Sequence, residues 1–176
     1  MVGKLLVARP SLLGDPSFGR SVVIMAEQHE SGSLGFVVNH PIPYSMKDLL
    51  PDFKVDTPIF QGGPVDQDRL FYIHKLANLS NTKALGNGLF WGGDLSELEN
   101  ALDTGMITQD EVRFFVGYAG WEKNQLKQEC KDNSWLLVKN NYDIFSAPTA
   151  LWSKILSDLG GSLALYASAP SHPGLN

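Results

Sequence analysis

Residues 117–129, GYAGWEKNQLKQE, carry the polar side chains best placed for chemistry. If a helix begins at Trp121 and turns by about 100° per residue, Gln125 and Glu129 lie on the same arc as the indole, opposite the lysines. A carboxylate on this inward arc is costly to bury unless it accepts hydrogen bonds. We therefore expect Glu129 to meet an Arg, a His or several N–H groups.

Two interpretations of Glu129 follow from that arrangement. The first is a structural network of polar groups that ties the helix to the sheet, because structural ion pairs commonly occupy such positions. The second is the wall of a pocket, in which Glu129 acts as a general base or anchors a ligand. The sequence leaves both open and favours the structural network.

The glycines of the same segment allow another kind of site. A GYAG loop leading from a strand into a helix can offer free backbone N–H groups, around Tyr118, to an anion. The competing and favoured interpretation is that Gly120 serves a tight strand-to-helix connection. No Gly-Lys-Ser/Thr follows, so the segment is not a Walker A loop.

Other polar residues lie at turns and strand ends. His74 ends a predicted strand and is expected to be a hydrogen-bonded structural histidine. Asp15 and Asn39 are turn residues whose side chains bond to nearby backbone groups. Arg9 and Arg20 bracket the first connection and are the nearest partners in sequence expected for a buried Asp15 or Glu129. The candidate ligand-binding or structural polar network consists of Arg9, Asp15, Arg20, Asn39, His74, Tyr118, Trp121, Gln125 and Glu129.

Motifs for metals, cofactors and nucleophiles are missing from the chain. The histidines show no paired metal spacing, and no His-Glu-x-x-His is present, so no metal site is predicted. Residues 86–88, Gly-Asn-Gly, lack the third glycine of a dinucleotide fingerprint, and there is no Gly-x-Ser-x-Gly elbow. Cys130, on the apolar side of the predicted helix, is expected to be a small buried hydrophobe. The sequence therefore predicts no cofactor and assigns no catalytic residue.

Charge and cysteine content narrow the classes of partner. The 176 residues include 14 Lys and Arg against 19 Asp and Glu, and the net charge of −5 opposes binding to a nucleic-acid backbone. A single cysteine excludes an intramolecular disulfide and is typical of a reducing compartment. The apolar run at residues 5–8 is too short for a signal peptide or a membrane span. We expect a cytoplasmic protein with no membrane contact and no direct nucleic-acid partner.

Hydrophobic patterning and turn residues predict a single α+β domain over residues 1–176, since hairpins precede a mixed second half. Strands are predicted at residues 3–8, 20–27, 34–39, 59–61, 70–74, 112–118 and 134–138. The second and third of these are expected to form an antiparallel hairpin, and the fourth and fifth a further pair around the QGGPV loop.

The same signals predict the helices and the irregular segments. Helices are expected at residues 46–50, 94–102, 121–131 and from 148 to about 160. A polar loop is expected over residues 78–87 and an edge strand over residues 163–167. The tail, residues 169–176, is expected to be loose.

The order of several short segments along the chain is distinctive. Arg9-Pro10, Asp15-Pro16-Ser17-Phe18 and RSVVIMAE are followed by GSLGFVVNHP, QGGPV, GYAGWEKNQLKQE and Trp135. In this order they resemble the AlgH/YqgE family of bacterial proteins over nearly the whole chain. The resemblance implies an α+β fold with a mixed, bifurcated, barrel-like sheet, helices packed outside and a cytosolic location. It implies no mechanism, although some members are labelled transcriptional regulators; members often carry Arg where this chain has His40.

Three hypotheses about function follow, in decreasing order of support. The first is a non-enzymatic binding or regulatory protein that acts through a protein partner or small ligand, with a concave or apolar surface near Trp121 and the QGGPV loop. The second is a hydrolase or isomerase that uses Glu129 as base, with Gln125, His74 or an Arg as electrophile. The third, a direct DNA-binding regulator, is opposed by the acidic charge and the missing recognition motif.

Overall fold

Residues 1–169, which this computed structural model describes, form ten strands in one branched sheet and five helices. The strands are β1 (Leu5–Ala8), β2 (Val22–His29), β3 (Gly32–Val37), β4 (Pro41–Ser45), β5 (Pro58–Gln61), β6 (Val65–His74), β7 (Thr82–Gly86), β8 (Leu89–Gly92), β9 (Val112–Glu122) and β10 (Trp135–Val138). The helices are α1 (Met46–Leu49), α2 (Leu95–Asp103), α3 (Gln125–Lys131), α4 (Pro148–Leu159) and α5 (Gly161–Ala167), and none of them is long and apolar enough to cross a membrane. The predicted α+β class is confirmed. Beyond Ala169, the predicted loose tail lies outside the described residues.

The sheet branches at β9, its longest strand. The strand order is β10-β1-β2-β3-β9-β6-β8-β7, and β5, which also pairs with β4, joins the sheet through β9. The first half of β9 pairs in parallel with β5, while its last residues, 119–122, pair with β3. Because one side of β9 serves two strands in succession, the sheet is bifurcated, as the family resemblance implies. The terminal strands β10 and β7 do not pair with each other, so the sheet is not closed.

Strand β1 shows why the apolar runs near the N-terminus are unbroken. Leu5 and Val7 point into the largest core cluster, which includes Trp152 of α4. Leu6 and Ala8 point to the other face, into a cluster that includes Trp121 and Trp135. Successive side chains of a strand point to opposite faces, so a strand covered on both sides reads as a continuous hydrophobic run.

Two predictions about strand pairing have different outcomes. The antiparallel hairpin of β2 and β3 is confirmed. The predicted pairing of β5 with β6 around the QGGPV loop is wrong, because each pairs with β9 and β9 lies between them. A short glycine-containing loop predicts that its flanking strands are neighbours, but it cannot reveal a third strand that inserts from later in the chain. The predicted polar loop over residues 78–87 also contains a strand, β7, paired with β8.

Two predictions about secondary structure near the end of the chain are also wrong. The helix expected from Trp121 begins only at Gln125, because Trp121 pairs with Ser33 and extends β9. Tertiary pairing thus outweighs the local helical pattern. The edge strand expected over residues 163–167 is instead α5, which follows the positive φ angles of Gly160 and Gly161 and packs on α4.

Candidate functional site

Glu129 lies in a network of N–H donors at the end of β9. Its Oε2 accepts hydrogen bonds from the indole Nε1 of Trp121 at 2.9 Å and of Trp135 at 2.8 Å. Its Oε1 accepts from Nε2 of Gln125 at 2.9 Å. Both carboxylate oxygens are therefore engaged by strand β9, helix α3 and strand β10, and the side chain ties these three elements together.

The Asp15 turn packs against the same tryptophans through Phe18. The Asp15 carboxylate accepts hydrogen bonds from the backbone N–H groups of Ser17 and Phe18, each at 2.8 Å. The Phe18 ring stacks on Trp121 with 6.3 Å between ring centroids and meets Trp135 edge-on at 5.4 Å. Asp15 thus holds the turn that places Phe18 over the indoles, which is the local backbone role predicted for it.

The Asn39 side chain forms hydrogen bonds with backbone groups at the start of β2, beside the β2–β3 pairing. It is 6% exposed, and its Oδ1 accepts from the backbone N–H of Val22 at 2.8 Å. Its Nδ2 donates to the carbonyl of Arg20 at 2.9 Å, which stabilises that residue at a φ of 60°. Arg20 itself donates to the Ala169 carbonyl at 2.7 Å and lies over the Trp152 ring.

The remaining candidates, His74, Tyr118 and Arg9, take no part in these side-chain contacts. His74 is fully buried at the end of β6, with Nε2 2.9 Å from the Gly92 carbonyl. It pairs with Val112 at the start of β9, roughly 30 Å of strand from Trp121 at about 3.3 Å per residue. Tyr118 packs edge-on against Phe71, and the Arg9 N–H donates to the Ser134 carbonyl beside the β1–β10 ladder. The nine candidate residues therefore do not meet in one site.

Three distinctive segments of the sequence instead meet at a cleft of about 220 Å³, which we call the signature cleft. Its lining residues are Pro16, Ser17, Val37, His40, Gln61, Gly63, Pro64 and Gln67. Six of them come from the DPSF turn, the NHP turn after β3 and the QGGPV segment at the end of β5, while Val37 ends β3 and Gln67 lies on β6. Backbone bonds hold these segments together: Val37 N–H donates to Gly62 and Gln61 N–H donates to His40, each at 2.8 Å.

Glycines allow the QGGPV loop to cross β9 at contact distance. A Cβ on Gly63 would lie 2.1 Å from the carbonyl carbon of Tyr118, and one on Gly62 would lie 2.3 Å from the Gly117 oxygen. Gly117 has a φ of 72°, a left-handed conformation that favours glycine. The GYAG sequence therefore lies within β9. The favoured prediction of a tight strand-to-helix connection at Gly120 is wrong, and so is the alternative of a loop with free N–H groups. The glycines are visible in the sequence, but the strand that they cross could not be predicted from it.

The signature cleft is polar but has no charged lining residue apart from the titratable His40. Nε2 of Gln61 donates to the Gly63 carbonyl at 2.6 Å, and Nε2 of Gln67 donates to the Pro64 carbonyl at 3.0 Å. Burial lowers the pKa of His40, partly offset by its hydrogen bond to the backbone of Gly19. Among residues 1–169, no carboxylate, thiol or lysine lines the cleft, so its groups are suited to binding by hydrogen bonds.

A buried arginine behind the NHP turn was missed by the sequence analysis. Arg113 is 5% exposed and donates to the carbonyls of Val38 at 2.5 Å, Phe145 at 2.7 Å and Ile144. Its guanidinium lies 4.0 Å from the ring centroid of Phe60, and burial lowers its pKa to about 10. Arg113 thus fastens the backbone just before Asn39 to the loop at residues 144–145. The available signal was a lone charge inside the apolar run VRFFV.

Replacing Glu129 with Gln is expected to lower the free energy of unfolding by about 1–3 kcal/mol. One carboxylate oxygen becomes an NH₂ group, which cannot accept a hydrogen bond from the N–H donors around it. Urea unfolding followed by tryptophan fluorescence measures this difference. Glu122→Gln, which alters an exposed carboxylate of the same segment, is the matched control and should change stability little. Equal losses in the two variants would contradict the structural role of Glu129.

Two histidines, the buried His74 and the half-buried His40, predict a loss of stability in mild acid. Burial lowers the pKa of both His40 and His74 from 6.5, so the unfolded chain takes up protons first as the pH falls. Their contribution to the free energy of unfolding is fully present above about pH 6.5 and is lost as the pH falls toward the folded pKa values. Carboxyl groups with a lowered pKa, such as Glu111 with its hydrogen bonds from Thr108, change the free energy of unfolding only as the pH falls below their ordinary pKa of 4.5. Urea midpoints should therefore be lower at pH 5.5 than at pH 7.5, and equal midpoints would contradict the prediction.

Solved structures of two other proteins share this branched α+β fold. The crystal structure of protein DIP2367 from Corynebacterium diphtheriae matches 94% of this chain and 91% of its own with a TM-score of 0.78, and at 23% identity it shows the shared fold. The solution structure of the AlgH protein from Pseudomonas aeruginosa matches with a TM-score of 0.72 and 30% identity over 96% of this chain and 94% of its own.

Sequence relatives extend this likeness to the family level. The AlgH-like family profile matches residues 5–164. A UPF0301 protein of Bacteroides fragilis is 37% identical over 99% of this chain and 90% of its own length. One of Chlorobium phaeobacteroides is 38% identical over 99% of this chain and 95% of its own. The chain therefore belongs to the AlgH-like family.

Proposed function

We propose that this protein is a non-catalytic binding module whose signature cleft accepts a side chain of a protein partner. The observation that carries the proposal is the convergence of the DPSF turn, the NHP turn and the QGGPV loop on that cleft. The glycines at the β9 crossing and the cation of Arg113 hold two of these segments in place. A rigid, hydrogen-bonding recess built in this way is suited to recognition.

The size of the cleft favours a protein partner over a free small ligand. Pockets for drug-sized ligands commonly measure about 300–1,000 Å³. The signature cleft, at about 220 Å³, is smaller and opens beside exposed residues of β6, including Val65 and Gln67. Protein interfaces frequently depend on a few side chains that fill such recesses. One anchoring side chain, surrounded by weaker contacts, fits this surface.

The contacts of Glu129 and the charge of the chain bear on the other two hypotheses. A hydrolase or isomerase with Glu129 as base would have to free a carboxylate whose two oxygens are engaged by three donors. A direct DNA-binding role would have to overcome a net charge of −5. We propose that any regulatory role proceeds through a protein partner in the bacterial cytoplasm, in keeping with the single free thiol of Cys130.

Site-specific photo-crosslinking in cells that produce this protein tests the proposal. A photoreactive amino acid replaces Ser17, an exposed residue that lines the cleft, or Gln128, an exposed glutamine on α3. We expect a discrete crosslinked protein from position 17 and none from position 128. The same pattern from both positions, or no crosslinked protein from position 17, would overturn the proposed function.

A further inference from the structure

We infer that the signature cleft selects a cationic side chain, lysine or arginine, of its partner. The inference rests on the proposed function, because it names the chemistry of the group that the cleft would hold. Three observations support it independently: the orientation of two carboxamides, the apolar walls and the carboxylates adjacent in sequence to the lining residues.

The two glutamines of the cleft present hydrogen-bond acceptors. The side-chain N–H groups of Gln61 and Gln67 are directed to carbonyls of the QGGPV loop, those of Gly63 and Pro64. Reversing either amide would place its oxygen against a carbonyl oxygen, so the orientations are determined. Within residues 1–169 no group donates to either carboxamide oxygen, and neither oxygen is buried without a partner. Both are therefore available to a ligand that brings N–H donors.

The walls of the cleft match the hydrocarbon part of such a side chain. Pro16, Pro64 and Val37 contribute apolar surface to the lining. Lysine and arginine bury their methylene stems along apolar surface while their charged ends seek polar groups. A leucine would leave the acceptors without partners, and a carboxylate would meet them with like partial charge. The combination of apolar walls and unpaired acceptors thus distinguishes the cationic side chains.

Carboxylates adjacent in sequence to the lining residues favour a cation. Asp66 and Asp68 flank Gln67 in sequence, and Asp15 precedes Pro16 of the lining. The neighbouring cation Arg69 is engaged by Asp66, with Nη1 3.3 Å from the carboxylate. This local excess of carboxylates, together with the net charge of −5, attracts a basic segment and repels an acidic one.

Nuclear magnetic resonance with blocked amino acids tests this selectivity directly. The ¹⁵N-labelled protein is titrated at low salt with the N-acetyl amides of arginine, lysine, leucine and glutamate. We expect saturable shifts at the backbone amides of Gly62 and Gly63 and the side-chain amides of the two cleft glutamines, with the arginine and lysine compounds only. Gln61→Met and Gln67→Met should each weaken this binding at least fivefold, whereas Gln128→Met, on α3, should leave it unchanged.

The outcomes separate this inference from the proposed function. Equal or tighter binding of the leucine or glutamate compound would overturn the choice of a cation, as would a complete lack of shifts with arginine and lysine. Mapping the photo-crosslinked partner peptide gives a second readout that does not depend on weak probes. A crosslinked peptide without lysine or arginine would overturn the inference while leaving the proposed function intact. A missing crosslink at position 17 would overturn the proposed function itself.

Discussion

Arg113→Met is expected to lower the free energy of unfolding by about 3–5 kcal/mol, because it removes the donor for three buried carbonyls. The carbonyls of Val38, Ile144 and Phe145 accept from this guanidinium and would lose their partner together. Removing a desolvated cation offsets part of the cost, but methionine supplies no N–H group. The loss would be a large fraction of the stability of an ordinary domain.

Urea unfolding of Arg113→Met beside Arg69→Met measures that effect. Arg69 lies on β6, next to β9, is exposed and pairs with Asp66, so its replacement should cost less than about 1 kcal/mol. If the two variants were equally stable, the role assigned to Arg113 would be wrong. A loss confined to Arg113→Met would support the view that this residue fastens the backbone behind the NHP turn.

Gly63→Ala is expected to cost more than about 3 kcal/mol or to prevent folding, because the new methyl group meets backbone that cannot yield easily. The added Cβ would lie 2.1–2.3 Å from backbone atoms of Tyr118 and Ala119. Relief requires the QGGPV loop to move away from β9, which would also open the signature cleft.

Gly14→Ala is the matched control for this substitution. Nothing lies within 4 Å of a Cβ built on Gly14, and its φ is not positive. It should be neutral or slightly stabilising, since alanine restricts the unfolded chain. Soluble yield and thermal midpoint compare the two variants even if Gly63→Ala folds poorly. A Gly63→Ala protein with the stability of Gly14→Ala would show that the close crossing is not required.

Local features of the fold could be predicted from the sequence, and features that depend on distant pairing could not. The β2–β3 hairpin and the Asp94 cap of α2, which accepts the Glu97 N–H at 3.0 Å, follow from neighbouring residues. The path of β9 through Trp121 does not, because it depends on pairing with Ser33, far earlier in the chain. The same non-local pairing separates β5 from β6 and turns the GYAG glycines from a loop into a strand crossing.

The candidate site shows the same division. Helical spacing predicted that Gln125 and Glu129 both face inward, but Glu129 is half-buried and Gln125 is exposed. The helix does not include Trp121, and the indole reaches the Glu129 carboxylate from the end of a strand. The signature cleft was not predicted as a site, because Ser17, His40 and Gln61 have ordinary turn and strand chemistry in isolation. Only the fold brings them together. Arg113 could have been singled out, since a charge inside a buried apolar run requires partners.

The affinity of the crosslinked partner for cleft variants tests the central claim most directly. Titration calorimetry compares the unaltered protein with Gln67→Lys, which places a cation in the cleft, and with Gln128→Lys, which adds the same charge on α3. We predict at least tenfold weaker binding for Gln67→Lys and unchanged binding for Gln128→Lys. Equal affinities for all three proteins would show that the partner does not occupy the signature cleft.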